Sequence, residues 1–404
     1  MTGRSITGFW RRYRAGFTGF GALAIAVAPL FVIGLLSVPI REEFGGSRAS
    51  LGLAVSAFMG AAVVGAPFAG RAVDRFGVNA VLRLGIIAVL LSDLWVGVIS
   101  SGPGMLRVGM AIGGLGLALV DAGSTLDVSQ EVRHDSQAMA FGIKEIAGPL
   151  TTLLGGVVML PFAAATSWRA VFLVYAAISA ALLALDLSLE REHGAKRGTR
   201  SSESGAAPLI RARSVAMAVA LAMVGVTAVT TYGIDASVVA GLTEQQAGLW
   251  ITLGSIGVIG MRLGGAYLAG RNEPLGVLVV VGLILVGGLS HLLLASNLRS
   301  IMGPGELVAL IFGWGWGGIL FLFVIRLYPL QTGRATGIVF MGTYVGGVLG
   351  PPTFGWIVDH WSFQTGWIFS AGCMVAAALI LAWALSPLRK PQTQAATLES
   401  AGRS

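Results

Sequence analysis

Gly70-Arg71-Ala72-Val73-Asp74-Arg75-Phe76-Gly77 stands between two long apolar runs, residues 49–69 and 78–100. Each run has the ~20 residues that an α-helix needs to cross a hydrocarbon layer of ~30 Å. The residues between them carry an acid flanked by two bases, with a glycine at each end, so they read as a charged turn in water. Backbone in lipid must satisfy its own hydrogen bonds, so apolar run, turn and apolar run together make a transmembrane helical hairpin. Asp74 suits the capping of a helix N-terminus, where the dipole favours negative charge. Arg75 is placed to bridge to Asp127, at the inner end of the apolar run over 104–127. The same residues also fit an ordinary basic turn that only fixes topology.

The pattern repeats along the chain. Apolar runs bounded by Arg, Gly-Pro or polar clusters place six helices at 16–40, 49–69, 78–100, 104–127, 137–162 and 168–189. Six more follow at 214–240, 245–269, 275–295, 303–326, 335–358 and 364–385. The expected architecture is an all-α membrane protein with twelve transmembrane helices in two pseudo-symmetric six-helix bundles. Its parts are an N-terminal bundle over 1–189, a polar linker over 190–213, a C-terminal bundle over 214–386 and a tail over 387–404. The first run outlasts a signal-peptide core and lacks a small-residue cleavage site, so it is expected to remain as a helix.

Composition supports a lipid solvent: 55% of residues are hydrophobic and 11% charged, against the roughly 25% charged usage of soluble proteins. The 59 glycines are about twice the usual share, as expected where helices approach closely in a membrane. A net charge of +8 sits in short inter-helix loops and not in one basic domain, so it speaks for orientation and against nucleic acid. With the N-terminus inside, Arg4, Arg11, Arg12, Arg14, Arg71, Arg75, Arg133, the linker bases, Arg271, Arg334, Arg389, Lys390 and Arg403 face the cytoplasm. Arg41, Arg48, Arg169 and Arg299 stay outside. Both termini are therefore expected in the cytoplasm and the chain in the inner membrane. The lone Cys373 rules out a disulfide framework and a cysteine-based metal site. No GxxxxGK[ST], HExxH or GxSxG occurs, so a carrier is expected in place of an enzyme, with no cofactor and no metal.

A shift of about 195 residues lays Ala140-Phe141-Gly142-Ile143 on Ala335-Thr336-Gly337-Ile338 and Gly70 on Gly265, the internal repeat expected of two parallel bundles. The quoted turn then resembles the signature loop of the major facilitator superfamily, Gly-x-Leu-x-Asp-Arg-x-Gly-Arg-Arg/Lys. Gly70, Asp74, Arg75 and Gly77 match, while Ala72 stands for Leu and Val78-Asn79 for the basic pair. The resemblance implies that this loop latches the cytoplasmic faces in the outward-open state, with Asp74 and Arg75 as its charges; the missing basic pair thins that network. Helix 4 is similar to the family's Arg-x-x-Gln-Gly-x-Gly, with Met110 for Gln and Ala111 for the first Gly, which marks Arg107 as functional. The family's antiporter motif is poorly matched, since Gly155-Gly156 follows Gly148-Pro149 too late. Phe44-Gly45-Gly46-Ser47-Arg48, Gly313-Trp314-Gly315-Trp316 and Gly350-Pro351 resemble bacterial members near the cyanate-permease and monocarboxylate or oxalate/formate groups.

Ionisable residues inside a span are expensive and therefore candidates for function. At ~1.5 Å per residue, Asp121, Lys144 and Arg262 lie at one level, roughly 10 Å inside the cytoplasmic face. An ion pair between Asp121 and Lys144 is geometrically possible, whereas Lys144 and Glu145 point about 100° apart on their helix. Snorkelling of Lys144 and Glu145 to the headgroups is the bland alternative. Arg262, among Gly257, Gly260, Gly264 and Gly265, must project into a cavity or a partner helix. Asp93, Asp186, Asp235, Glu306 and Arg326 are expected near helix ends with water at hand, and His291 at an interface. Trp314 and Trp316 face nearly opposite ways, and Trp316 is the candidate cavity wall.

These readings converge on a monomeric secondary active transporter that moves a small solute by alternating access, driven by protons. The expected solute is a small organic or inorganic anion, held where Arg262 faces Lys144 and Asp121. The alternative within the same superfamily is a drug or metabolite efflux antiporter.

Overall fold

A computed structural model describes residues 3–132, 140, 142–188, 210–271, 273–328 and 332–386. Every element among them is helical. α1 (Gly3–Leu35) stops one residue before α2 (Ser37–Phe44), which corrects the expected single helix over 16–40. The reason is Pro39: it has no amide for the carbonyl four residues back, but fits the first turn of a new helix. Gly45, in the left-handed conformation at φ 58°, ends α2, and the Ser47 hydroxyl caps α3 (Arg48–Phe76) by accepting from the Ser50 amide. Gly77 at φ 81° then turns the chain into α4 (Val78–Leu94), completing the hairpin read from the sequence.

α4 runs on through a π-helical turn at Trp95–Ile99, and α5 (Pro103–Glu131) opens on a proline that needs no amide donor there. The fifth span continues through α6 (Ala147–Leu154), a π turn (Gly155–Met159) and α7 (Leu160–Ala165), and α8 (Trp168–Ser188) closes the first half. The second half comprises α9 (Ile210–Val239), α10 (Glu244–Arg271) and α11 (Glu273–Leu294). Its tenth span breaks into α12 (Arg299–Trp314) and α13 (Gly317–Leu327), and α14 (Thr332–His360) and α15 (Phe363–Ala384) complete it. Most of the linker and the whole tail lie outside the described residues.

Among the described residues ten helices are long and apolar enough to cross a membrane; α12 with α13, and α14, complete the twelve-helix order. Large apolar side chains such as Val64, Phe68, Leu91, Leu185, Leu278, Leu349 and Leu379 are exposed around the outside, as a surface facing lipid requires. Inside the first half, α3 packs on α5, and α4 on α5 and α8; inside the second, α9 packs on α14 and α15, and α11 on α12. The halves meet through α3 with α14, through α10 with α6 and its π turn, and through α1 with α9. Exchanging the halves turns the contact of spans 2 and 11 into that of spans 8 and 5, which is the pseudo-symmetry of the fold. The connections at 45–47, 100–102, 166–167, 240–243, 295–298 and 361–362 mark one end of the molecule, here the odd-loop end; the turn at Gly77 marks the even-loop end.

Candidate functional site

Helix breaks decide where the site forms. Pro149 has no amide, so the carbonyl of Glu145, four residues earlier, has no helical donor. Arg262 of α10 supplies one: its Nη1 donates to that oxygen at 2.6 Å. The break between α12 and α13 supplies a second acceptor, the carbonyl of Trp314, 3.4 Å from Nη2. The guanidinium also lies over the Trp314 ring, 5.3 Å from its centroid. A helix C-terminus carries partial negative charge, so two interrupted helices hold one cation largely through carbonyls. The Glu145 carboxylate stays 4.0 Å from Nη1 and is 45% exposed, whereas the Arg262 side chain is 11% exposed. The Nε of Arg262 is buried without a hydrogen-bond partner. Trp314 in turn packs on Phe31 of α1, 5.0 Å between ring centroids, and against Gly148. The cluster therefore draws on both halves.

Lys144 points the other way, as the ~100° rotation per residue demands. Its Nζ donates to Asp121 at 2.6 Å and to the Thr125 hydroxyl at 2.7 Å. Only 2% of its side chain is exposed, so it does not snorkel, while Asp121 keeps 29% exposure. The structure thus sets Arg262 against Glu145 and Trp314, with Lys144 and Asp121 one residue away as a separate pair.

The remaining candidates are spread out. Arg107 lies toward the odd-loop end, where its Nη2 donates to the Ser50 hydroxyl at 2.9 Å. Trp316 is buried, its indole donating to the Gly313 carbonyl, and Trp314 takes the position at the cation. In the quoted turn, Gly70 has open space around it and Gly77 makes the bend. Arg75 is exposed, with its guanidinium 5.2 Å from the centre of the Phe76 ring. Asp127 accepts from the Thr18 hydroxyl at 3.5 Å. The side chains of Asp74 and Arg326 lie outside the described residues.

The four acids expected near water, Asp93, Asp186, Asp235 and Glu306, are all buried instead. Asp93 is fully buried and neither of its oxygens has a partner. Glu306 is fully buried, with Oε1 accepting from Ser237 and Oε2 unpartnered. Asp235 is 2% exposed. Asp186 is answered by Arg83 at 2.8 Å. His291, also expected at an interface, is buried between α11 and α15, 2.9 Å from the Ser370 hydroxyl and tilted against Trp367. Close helix packing excludes water further toward the ends than hydropathy alone indicates.

Asp235 belongs to a closure that joins the halves at the odd-loop end. It accepts from Arg41 and from Arg48 Nε, each at 2.6 Å. Asp359 of α14 caps the N-terminus of α3, taking the amides of Arg48 at 3.1 Å and Ala49 at 2.8 Å. The Tyr232 hydroxyl lies 2.6 Å from the Pro351 carbonyl and 2.9 Å from that of Arg48, and can donate to either. Pro352 has no amide for the Val348 carbonyl, which accepts from Ser56 of the other half at 2.5 Å. Glycines let these backbones touch: a Cβ on Gly52 would stand 2.6 Å from the Pro351 carbonyl carbon, and one on Gly156 would strike the Gly248 carbonyl. Toward the even-loop end the described glycines of the same four spans have more room. Gly70, Gly142, Gly260, Gly264 and Gly337 have nothing within 4 Å of where a Cβ would stand.

A sequence model of the Major Facilitator Superfamily matches residues 15–325, well over half of the chain. The chain belongs to the Major Facilitator Superfamily. Its fold agrees with solved structures of that superfamily at low identity. A D-xylose-proton symporter is 16% identical with a TM-score of 0.73, over 91% of this chain and 96% of the other. The xylose transporter XylE from E. coli, in a partially occluded inward-open conformation, is 13% identical with a TM-score of 0.73, over 92% and 99%. The transporter FucP in the outward conformation is 16% identical with a TM-score of 0.61, over 90% and 98%. No curated protein sequence matches. As a Major Facilitator Superfamily member the chain is a secondary transporter working by alternating access, not an enzyme.

Proposed function

We propose that the chain carries a small anion across the inner membrane together with protons, and that the anion binds between the halves at Arg262. One observation carries this reading. A buried guanidinium is held by two carbonyls, with a donor left unpartnered and its nearest carboxylate 4.0 Å away. A planar fork of that kind matches a carboxylate or similar anion with parallel hydrogen bonds. Arg262 and Lys144 balance Asp121 and Glu145, so the site is neutral without solute; protonating one carboxylate leaves a positive charge that an anion neutralises, which couples solute to proton. Asp121 and Glu145 are half-buried, with 29% and 45% of their side chains exposed, so both can take a proton from water.

Basic residues at the even-loop end orient that end, with both termini, toward the cytoplasm. The closed odd-loop end then faces the periplasm, and the arrangement is inward-facing. The cluster around Asp235 acts as the periplasmic gate. In the opposite state the turn at Gly70 to Gly77, through Asp74, Arg75 and Asp127, latches the cytoplasmic side.

The test uses purified protein in proteoliposomes with formate, oxalate and cyanate as probes. Arg262→Lys keeps the charge but loses the fork and is expected to weaken half-saturation by about tenfold, roughly 1.4 kcal/mol; Arg262→Ala is expected to abolish uptake. If both variants keep wild-type affinity and pH dependence, the anion site lies elsewhere and efflux of a larger solute becomes the better reading.

A further inference from the structure

Glu306 is a carboxyl that the site at Arg262 does not use. It sits in α12, fully buried, with Oε1 2.9 Å from the Ser237 hydroxyl and Oε2 without a partner. Two positions of α9 make its cradle, Gly233 and Ser237, one helical turn apart and hence on one face. A Cβ on Gly233 would stand 2.9 Å from Oε1, so glycine is what leaves room for the carboxyl there. Asp235, between them, faces the opposite way and holds Arg41 and Arg48 of the other half. A single turn of α9 thus bears the gate acid on one side and the cradle of Glu306 on the other.

Among the described residues no cation forms an ion pair with Glu306. Among the described residues of the helices packed on α12, the ionisable groups are engaged elsewhere or stand at a distance. On α9, Asp235 is taken by the two arginines and Tyr232 reaches the Pro351 carbonyl. On α10, Arg262 is held at the carbonyls of Glu145 and Trp314, and Glu244 begins the helix at the odd-loop end. On α11, His291 meets Ser370. A carboxylate with one hydroxyl for company is strongly disfavoured in such a place, whereas the neutral acid buries readily. In the neutral acid Oε1 keeps the hydrogen bond it accepts from the Ser237 hydroxyl, and the proton sits on Oε2.

We propose that Glu306 is a proton carrier of the transport cycle: it holds a proton while Asp235 closes the gate, and gives it to water at the odd-loop end when that turn of α9 leaves the first half. The O–H bond of the acid breaks and the proton passes to water, leaving the carboxylate hydrated by the opened gate. This rests on the proton-coupled reading above. Asp93 is another buried acid with unpartnered oxygens among the described residues, but α4 packs on α5 and α8 inside the first half, so opening the gate does not reach it.

Infrared spectroscopy of the whole protein in nanodiscs tests the assignment without a solute. Wild type at neutral pH is expected to show a protonated-carboxyl band that Glu306→Gln removes and that Ser237→Ala shifts in frequency without removing. In D2O the band exchanges slowly; Asp235→Asn, which weakens the gate, is expected to speed its exchange at least tenfold, while the band lost in Asp93→Asn keeps its rate. Absence of a Glu306 band in wild type, or an exchange rate that Asp235→Asn leaves unchanged, overturns the proposal. Wild-type proteoliposomes carrying a pH dye and given formate, oxalate and cyanate test the parent reading separately. Solute movement without proton movement overturns proton coupling, whatever the infrared result.

Discussion

Lys144 and Asp121 form a pair whose two members are unequally buried, and this inequality sets what each substitution costs. Asp121→Asn strands an ammonium with 2% exposure, which is expected to cost about 3–5 kcal/mol. Lys144→Met leaves a carboxylate that is 29% exposed and can be hydrated, so its cost is expected to be smaller. The double variant Asp121→Asn, Lys144→Met removes both charges and is expected to regain most of the loss. Thermal unfolding in detergent should rank Asp121→Asn lowest, and a single variant as stable as wild type would remove the pair from the fold's support. The pair was legible in the sequence because helical spacing fixes depth and direction. Trp314 was not: which of two tryptophans meets Arg262 depends on where the tenth span breaks, and a Gly-Trp-Gly-Trp string contains no information on the neighbour it will face.

Helix ends carry the next level of organisation. α2 delivers Glu43 to the start of α8, where its carboxylate accepts from Arg169 and, at 2.6 Å, from the Trp168 indole. The hydrogen bond from Arg169 holds the Glu43 carboxyl below the usual carboxylate range. With the folded-state value lowered, the stabilisation is complete above the unfolded value and is lost as pH falls through the folded one. For an exposed pair it amounts to ~0.2–1 kcal/mol. Glu43→Gln is expected to lower the melting temperature slightly at pH 7, and the gap to wild type should close below about pH 4; a gap that persists there would assign the effect to packing. Proline is the element-scale signal that could be read from sequence and was read only in part. Pro149 and Pro352 each necessarily leave a carbonyl without its helical donor, yet only the packed structure assigns Arg262 to one and Ser56 to the other.

The described contacts close the odd-loop end of the molecule, and the balance of that closure is a matter of a few of them. Asp235→Asn replaces two short ion pairs by neutral hydrogen bonds and is expected to shift the population toward opening of the odd-loop end. A cysteine at Gly60, where a Cβ fits with Val348 4.0 Å away, reports this in a Cys373→Ser background. An impermeant maleimide applied from the odd-loop face is expected to label it roughly three times faster or more with Asp235→Asn than without, as a shift of a kcal/mol or less in a two-state equilibrium would give. Equal rates would mean that backbone contacts such as those of Gly52 and Gly156 hold the closure alone.

The sequence by itself determined the solvent and the order of helices, because these follow from local quantities: apolar length, residue rise and the energy of a charge in lipid. It also carried the charged turn at Gly70 to Gly77, whose residues lie next to one another in the chain. Only the tertiary structure decided which carboxyls are buried without partners and which cation is left short of charge. Asp235, Arg41 and Arg48 lie far apart in sequence and on different halves, and Glu306 meets Ser237 only because α12 packs on one particular face of α9. Partner choice between helices depends on rotation and register, and in a chain whose helices are apolar all round the hydrophobic pattern leaves both nearly free.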